Sequence, residues 1–120
     1  MDERIASLSA QLSKLAADLV ATEIELKVLR AETIARENPG QALRAWTEIL
    51  KQCIKSKHWR VDHALEEIER ILPRVLASGG LGSMEEGQLA LTLQLLPERY
   101  ETRKMRLQTQ LRSDPGDAAR

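Results

Sequence analysis

At 120 residues the chain is long enough for one hydrophobic core and too short for two independent ones. Two Trp, one Tyr and no Phe leave Leu, Ile, Val and Ala to build that core, which fits packed helices and argues against sandwiches and barrels. Eighteen basic residues balance eighteen acidic ones, so no whole-molecule field draws the protein toward nucleic acid or anionic lipid, and local patches must be judged alone.

The first 37 residues contain no Gly or Pro and read as one helix. Its seam is Ile5, Leu8, Leu12, Leu15, Leu19, Thr22, Leu26, Leu29 and Thr33, alternating steps of three and four. Seven of these nine positions are large aliphatics, so the pattern is coiled-coil-like. Ile5, Leu8, Leu12, Leu15, Leu19, Leu26 and Leu29 are therefore the expected oligomer interface. A second face carries Ala10, Ser13, Ala17, Val20, Ile24, Val28, Ala31 and Ala35, small or β-branched residues that admit a neighbouring backbone. A helix of this length runs roughly 54 Å, and one subunit is not expected to cover both of its faces.

Asn38-Pro39-Gly40-Gln41 ends that helix and starts the next, with Asn38 as cap, Pro39 in the first turn and Gln41 at the capping-box position. Helix 2, about 39 to 57, places Ala42, Trp46, Ile49, Leu50, Cys53 and Ile54 on one side. The short connection folds it back antiparallel as a helical hairpin. A third helix from near Asp62 carries Leu65, Ile68, Ile71, Leu72, Val75 and Leu76, with a kink or restart expected at Pro73. Residues 79 to 82 form a glycine hinge, and Ser83 with Glu86 gives a second capping-box pattern. Residues 89 to 95 alternate as a strand does, but a lone strand has no partner, so helix is favoured. Pro97 breaks that helix, and a last amphipathic segment with Tyr100, Leu107 and Leu111 runs to about 112. The organisation expected is a single all-α domain over 1–112: the long helix (1–37), helices 2 and 3 (38–78), the hinge (79–82) and a helical arm (83–112). Residues 113–120 are expected to be a disordered tail.

Residues 38 to 60 hold five Lys or Arg against one Glu. Arg44, Lys51, Lys55 and His58 line up along helix 2, and Lys57, Trp59 and Arg60 extend the patch. Two readings compete: a nucleic-acid-binding stripe in which an exposed Trp59 stacks beside cations, or a solvated face with Trp59 tucked into the core. Arg99, Arg103, Lys104 and Arg106 form a second, weaker cluster. The acidic run Glu66, Glu67 and Glu69 reads as the wet side of helix 3.

Cys53, His58 and His63 are five apart, which rotates them off a common helical face, so no metal site is expected. Cys53 lies on the apolar stripe with no acid or base grouped near it in sequence and reads as an inert thiol. Gly79-Gly80-Leu81-Gly82-Ser83 has no downstream Lys and follows no strand, so it reads as a turn rather than a phosphate loop. No enzyme activity and no cofactor are expected. A single cysteine fits a reducing, cytoplasmic setting, and neither a membrane span nor a secretory signal is legible.

Glu23-Ile24-Glu25-Leu26-Lys27-Val28-Leu29-Arg30-Ala31-Glu32, followed after a turn by Ala45-Trp46 and Ile49-Leu50, resembles the oligomerisation core of phage small terminase subunits. The resemblance spans roughly residues 12 to 55. It implies a helical hairpin that assembles into a ring presenting viral DNA to a packaging motor. The helix-turn-helix of that family has no counterpart ahead of the heptads, so its DNA recognition is not carried over. The expected function is thus a self-assembling, non-enzymatic adaptor, with itself and a larger protein as partners. A nucleic-acid-binding regulator using helix 2 is the alternative.

Overall fold

No Gly or Pro interrupts residues 2–35, where Ala, Leu and Glu are the commonest residues, so the stretch as a whole favours helix. In the computed structural model, which describes residues 2–35, 37–79 and 81–112, this stretch forms the single helix α1 (Asp2–Ala35). The other elements are α2 (Pro39–Ser56), α3 (Val61–Ala77), α4 (Ser83–Gln94), a 3₁₀ turn (Glu98–Tyr100) and α5 (Glu101–Arg112). The described residues are all-α, as the composition leads one to expect. The expected tail, residues 113–120, lies outside them.

Asn38 supplies the turn into α2: its backbone is extended, Pro39 takes the first turn, and Oδ1 accepts the Gln41 N–H at 3.1 Å. α2 then runs antiparallel to α1, so that Lys27 Nζ donates to Gln52 Oε1 at 2.8 Å. Its stop is a left-handed Lys57 at φ 55°, after which the His58 N–H bonds the Cys53 carbonyl at 2.9 Å. That is a Schellman-type ending built without the glycine it usually takes. α3 reverses the chain again, leaving α2 between α1 and α3.

The core forms on α2. Leu43, Trp46, Ile49, Leu50 and Cys53 meet Ile24, Val28 and Ala31 of α1 on one side and Leu65, Ile68, Ile71 and Leu72 of α3 on the other. Leu89, Leu93, Leu96, Tyr100, Leu107 and Leu111 belong to the same cluster. Residues 83–112 are therefore built into the core. What projects from the molecule is the N-terminal half of α1, exposed on every side from Asp2 to Leu19, and the long dimension of 68 Å follows from it.

Two local expectations need correction. α3 passes through Pro73 without interruption. The ring lies on the exposed side, and the buried residues before and after it (Ile68, Ile71, Leu72 and Val75) keep both halves packed on the core, so the lost hydrogen bond does not make the helix restart. At α4 the cap is Gly82 and makes no side-chain bond, which puts Ser83 one position inside the helix. The Ser83–Glu86 box is not made. Glu85, one residue earlier, folds its carboxylate back over Gly82 at the helix N-terminus, where the macrodipole favours it.

The period-two stretch is helical, and the alternation becomes two opposed faces: Leu89 and Leu93 point into the core, Leu91 and Leu95 away from it. α5 is held from outside by Arg103, whose Nε donates to Glu69 at 3.1 Å and whose Nη1 lies 3.6 Å from Asp62.

Ile24 and Leu26 are two residues apart and on opposite sides of α1. Ile24→Ala should lower the free energy of unfolding by about 2–5 kcal/mol, because it opens a cavity in a filled core. Leu26→Ala should shift it by no more than about 0.5 kcal/mol when urea denaturation is followed at a dilution where the chain is monomeric.

Candidate interaction surfaces

α1 is apolar on two opposite sides, and the chain covers only the second half of one of them. Ile24, Val28 and Ala31, with Val20, Ile34 and Ala35 partly covered, take the core side. The seam is bare: Ile5, Leu8, Leu12, Leu15, Leu19, Leu26 and Leu29 are each between 48% and 67% exposed. Thr22 and Thr33 interrupt it with hydroxyls that are already used, donating to the Asp18 and Leu29 carbonyls at 2.8 and 3.0 Å. They present methyl groups along the row and leave no free donor there.

The cations of residues 38–60 divide into two groups. Arg44 pairs with Glu85 of α4 at 2.6 Å, and Arg60 is clamped by both oxygens of Glu25 at 2.7 and 2.5 Å. Lys51, Lys55 and Lys57 are exposed and make no ion pair among the described residues. Trp59 is 68% exposed, so it does not enter the core; that place belongs to Trp46. The indole of Trp59 carries the Arg60 guanidinium over its face at 4.4 Å and stacks on His58 at 5.6 Å. In the second cluster Arg103 is bound to Glu69, Lys104 lies 3.4 Å from Glu101, and Arg99 sits over the Tyr100 ring at 4.9 Å.

Arg60 ties the α2–α3 turn to α1, a role its sequence position does not announce. Besides Glu25 it reaches His63 Nδ1 at 2.6 Å, and its own N–H bonds His58 Nδ1 at 3.1 Å. The Arg60 guanidinium holds the Glu25 carboxyl below the usual carboxylate range, and Glu25 in turn raises Arg60. Cys53 is fully buried, and burial pushes its thiol up to about 11, so it is a poor nucleophile. Among the described residues no three His, Cys, Asp or Glu side chains gather in a way that would hold a metal ion.

Two surfaces escaped the sequence. Met84, Leu91 and Leu95 form an exposed stripe on the outer side of α4. Their seven- and four-residue spacing is a helical signal, hidden by the stronger alternation around it. A cavity of about 470 Å³ opens beside Trp59, with Ile54, Pro97 and Tyr100 among its walls and Lys57 and Arg99 alongside. It joins residues some forty positions apart, which no local spacing reveals. No helix among the described residues is long and apolar enough to cross a membrane.

The Glu25–Arg60 link has a definite pH signature. Because the folded-state value of Glu25 is depressed, the link stabilises the fold above the ordinary carboxylate value, 4.5, and is lost as the pH falls through the lowered one. Glu25→Gln should therefore flatten the acid limb of a stability-versus-pH curve measured by urea unfolding. Equal slopes in the two proteins would mean the pair contributes nothing. Compared with known proteins, the chain matches no family model, no curated protein and no solved structure.

Proposed function

We propose that this protein is a non-enzymatic assembly or adaptor component that associates with itself through the leucine seam of α1. The observation carrying this reading is the alignment of seven large aliphatics on the side of α1 turned away from its own core, all of them exposed. A contiguous apolar row of that length is uncommon on a monomer surface, and fully burying each side chain is worth about 1.5–3 kcal/mol. The same residues repeat at coiled-coil spacing, so another helix with a similar row interdigitates with them. A larger protein offering such a helix would meet the seam in the same way.

Lys51, Lys55 and Lys57 beside the exposed Trp59 support a second reading, contact with a nucleic-acid backbone. A small-terminase-like role would join the two, with the seam assembling copies and the lysines of each copy meeting one duplex. Several weak patches on one assembly gain avidity without new contacts.

Replacing Leu12 and Leu19 with Asp places charge in the seam without touching the core. Sedimentation at micromolar concentration should then show a folded monomer where the native chain is associated. A native chain that is itself monomeric there would sink the assembly reading. For the second reading, Lys51→Glu with Lys55→Glu should abolish binding of a labelled duplex at about 50 mM salt while leaving helicity and assembly size unchanged. If the native protein shows no anisotropy change at that salt, the nucleic-acid reading falls.

A further inference from the structure

The seam has a symmetry that bears on how two copies meet. Its large aliphatics extend from Ile5 to Leu29 and are distributed evenly about Ala17, the midpoint of the row. With two α1 helices antiparallel and centred there, Ile5 packs on Leu29 of the second copy, Leu8 on Leu26, Leu12 on Thr22 and Leu15 on Leu19. All seven large side chains find partners, and sliding by one heptad either way strands part of the row. The body of each subunit hangs from the opposite side of α1, through Ile24, Val28 and Ala31, so it stays clear of the contact.

Charges beside the seam choose between orientations. Antiparallel pairing sets Arg4 against Glu32 and Asp2 against Arg30, each twice by symmetry, with one like-charge contact where Asp18 meets its own copy. Parallel pairing sets Asp18 against Glu23 twice, which repels. Its compensating pair is Glu25 with Arg30, but both oxygens of Glu25 are already held by Arg60 within the chain. Parallel pairing also stacks Thr22 on Thr22, where antiparallel pairing covers it with Leu12.

The two ends of α1 are complementary in chemistry as well. At its C-terminal end a notch of about 420 Å³ is lined by Leu29, Glu32, Thr33 and Glu37, an apolar residue flanked by two exposed carboxylates. At its N-terminal end Ile5 is exposed next to Arg4, an apolar side chain beside a cation.

We propose that two copies of this chain pair their α1 helices antiparallel about Ala17, the Asp2–Leu8 end of each seating Ile5 and Arg4 in the Leu29–Glu37 notch of the other. This rests on the self-assembly reading and fixes its partner, orientation and register. Arg4 and Glu32 are then specificity-determining residues, and their exchange is the sharpest probe of the register.

The test uses the full chain with Ser7→Cys, an exposed position off the seam, carrying a nitroxide. The native Cys53 stays unlabelled because it is buried and its thiol is pushed up to about 11. From the helical rise, antiparallel copies place the two labels roughly 30–40 Å apart, and parallel copies place them within about 20 Å. The longer distance is the expected result. The shorter one overturns the antiparallel arrangement while leaving self-assembly intact; no dipolar signal from a chain that sediments as a monomer overturns both. Register is read separately: Arg4→Glu should weaken association roughly threefold to tenfold, and adding Glu32→Arg should restore it. A double variant no tighter than Arg4→Glu alone overturns the register.

Discussion

Everything in this molecule follows from α1 having two apolar sides while the rest of the chain can cover only one. α2 lies along the second half of α1 and buries Ile24, Val28 and Ala31 in the core that also encloses Trp46. The leucines of the seam are no larger than Ile24; their own spacing of three and four residues turns them to the opposite side of the helix. The exposed seam is the other side of that geometry.

Polar contacts lock the arrangement the core selects. The Glu25–Arg60 clamp fastens the α2–α3 turn to the middle of α1, close to where the covered half of the helix gives way to the projecting half. Arg44–Glu85 and Arg103–Glu69 do the same for α4 and α5. All three join residues far apart in sequence, and all three draw an arginine out of clusters that look like continuous basic patches when read along the chain. The cations left over, Lys51, Lys55 and Lys57, are fewer and more localised than the sequence implies.

Most of the architecture was legible before the structure because its signals are local. The absence of Gly and Pro through residue 35, the Asn38-Pro39 cap and the apolar stripes of α2 and α3 each depend on neighbours within one or two turns. Errors arose where tertiary packing outweighs a local rule. Pro73 does not end α3 because the buried residues before and after it keep both halves packed on the core, and Glu85 rather than Glu86 lies against the α4 start. For the surfaces, the sequence supplied the seam in full but could not divide the cations into paired and unpaired, since Glu25 is 35 positions from Arg60. Trp59 has two readings in sequence for a related reason: it lies in the turn after helix 2, off the apolar stripe that places Trp46, and only the packing around that turn leaves it exposed. The stripe of Met84, Leu91 and Leu95 was hidden by an alternation that a helix turns into two faces.

The projecting half of α1 ties fold to function. A free helix of the length Asp2–Leu19 would be marginal in water, but this one grows from a half already anchored by α2, so it bears no nucleation cost. Its residues lose little by staying helical and gain nothing from their own subunit. That combination leaves an apolar row held in a fixed geometry with its conformational entropy already reduced, which lowers the cost of association for any helix that fits it. A flexible leader with the same leucines would have to order itself on binding and would bind more weakly. In the proposed pair, each projecting half lies along the anchored half of the other copy. The least supported segment of one chain then rests against the best supported segment of the next.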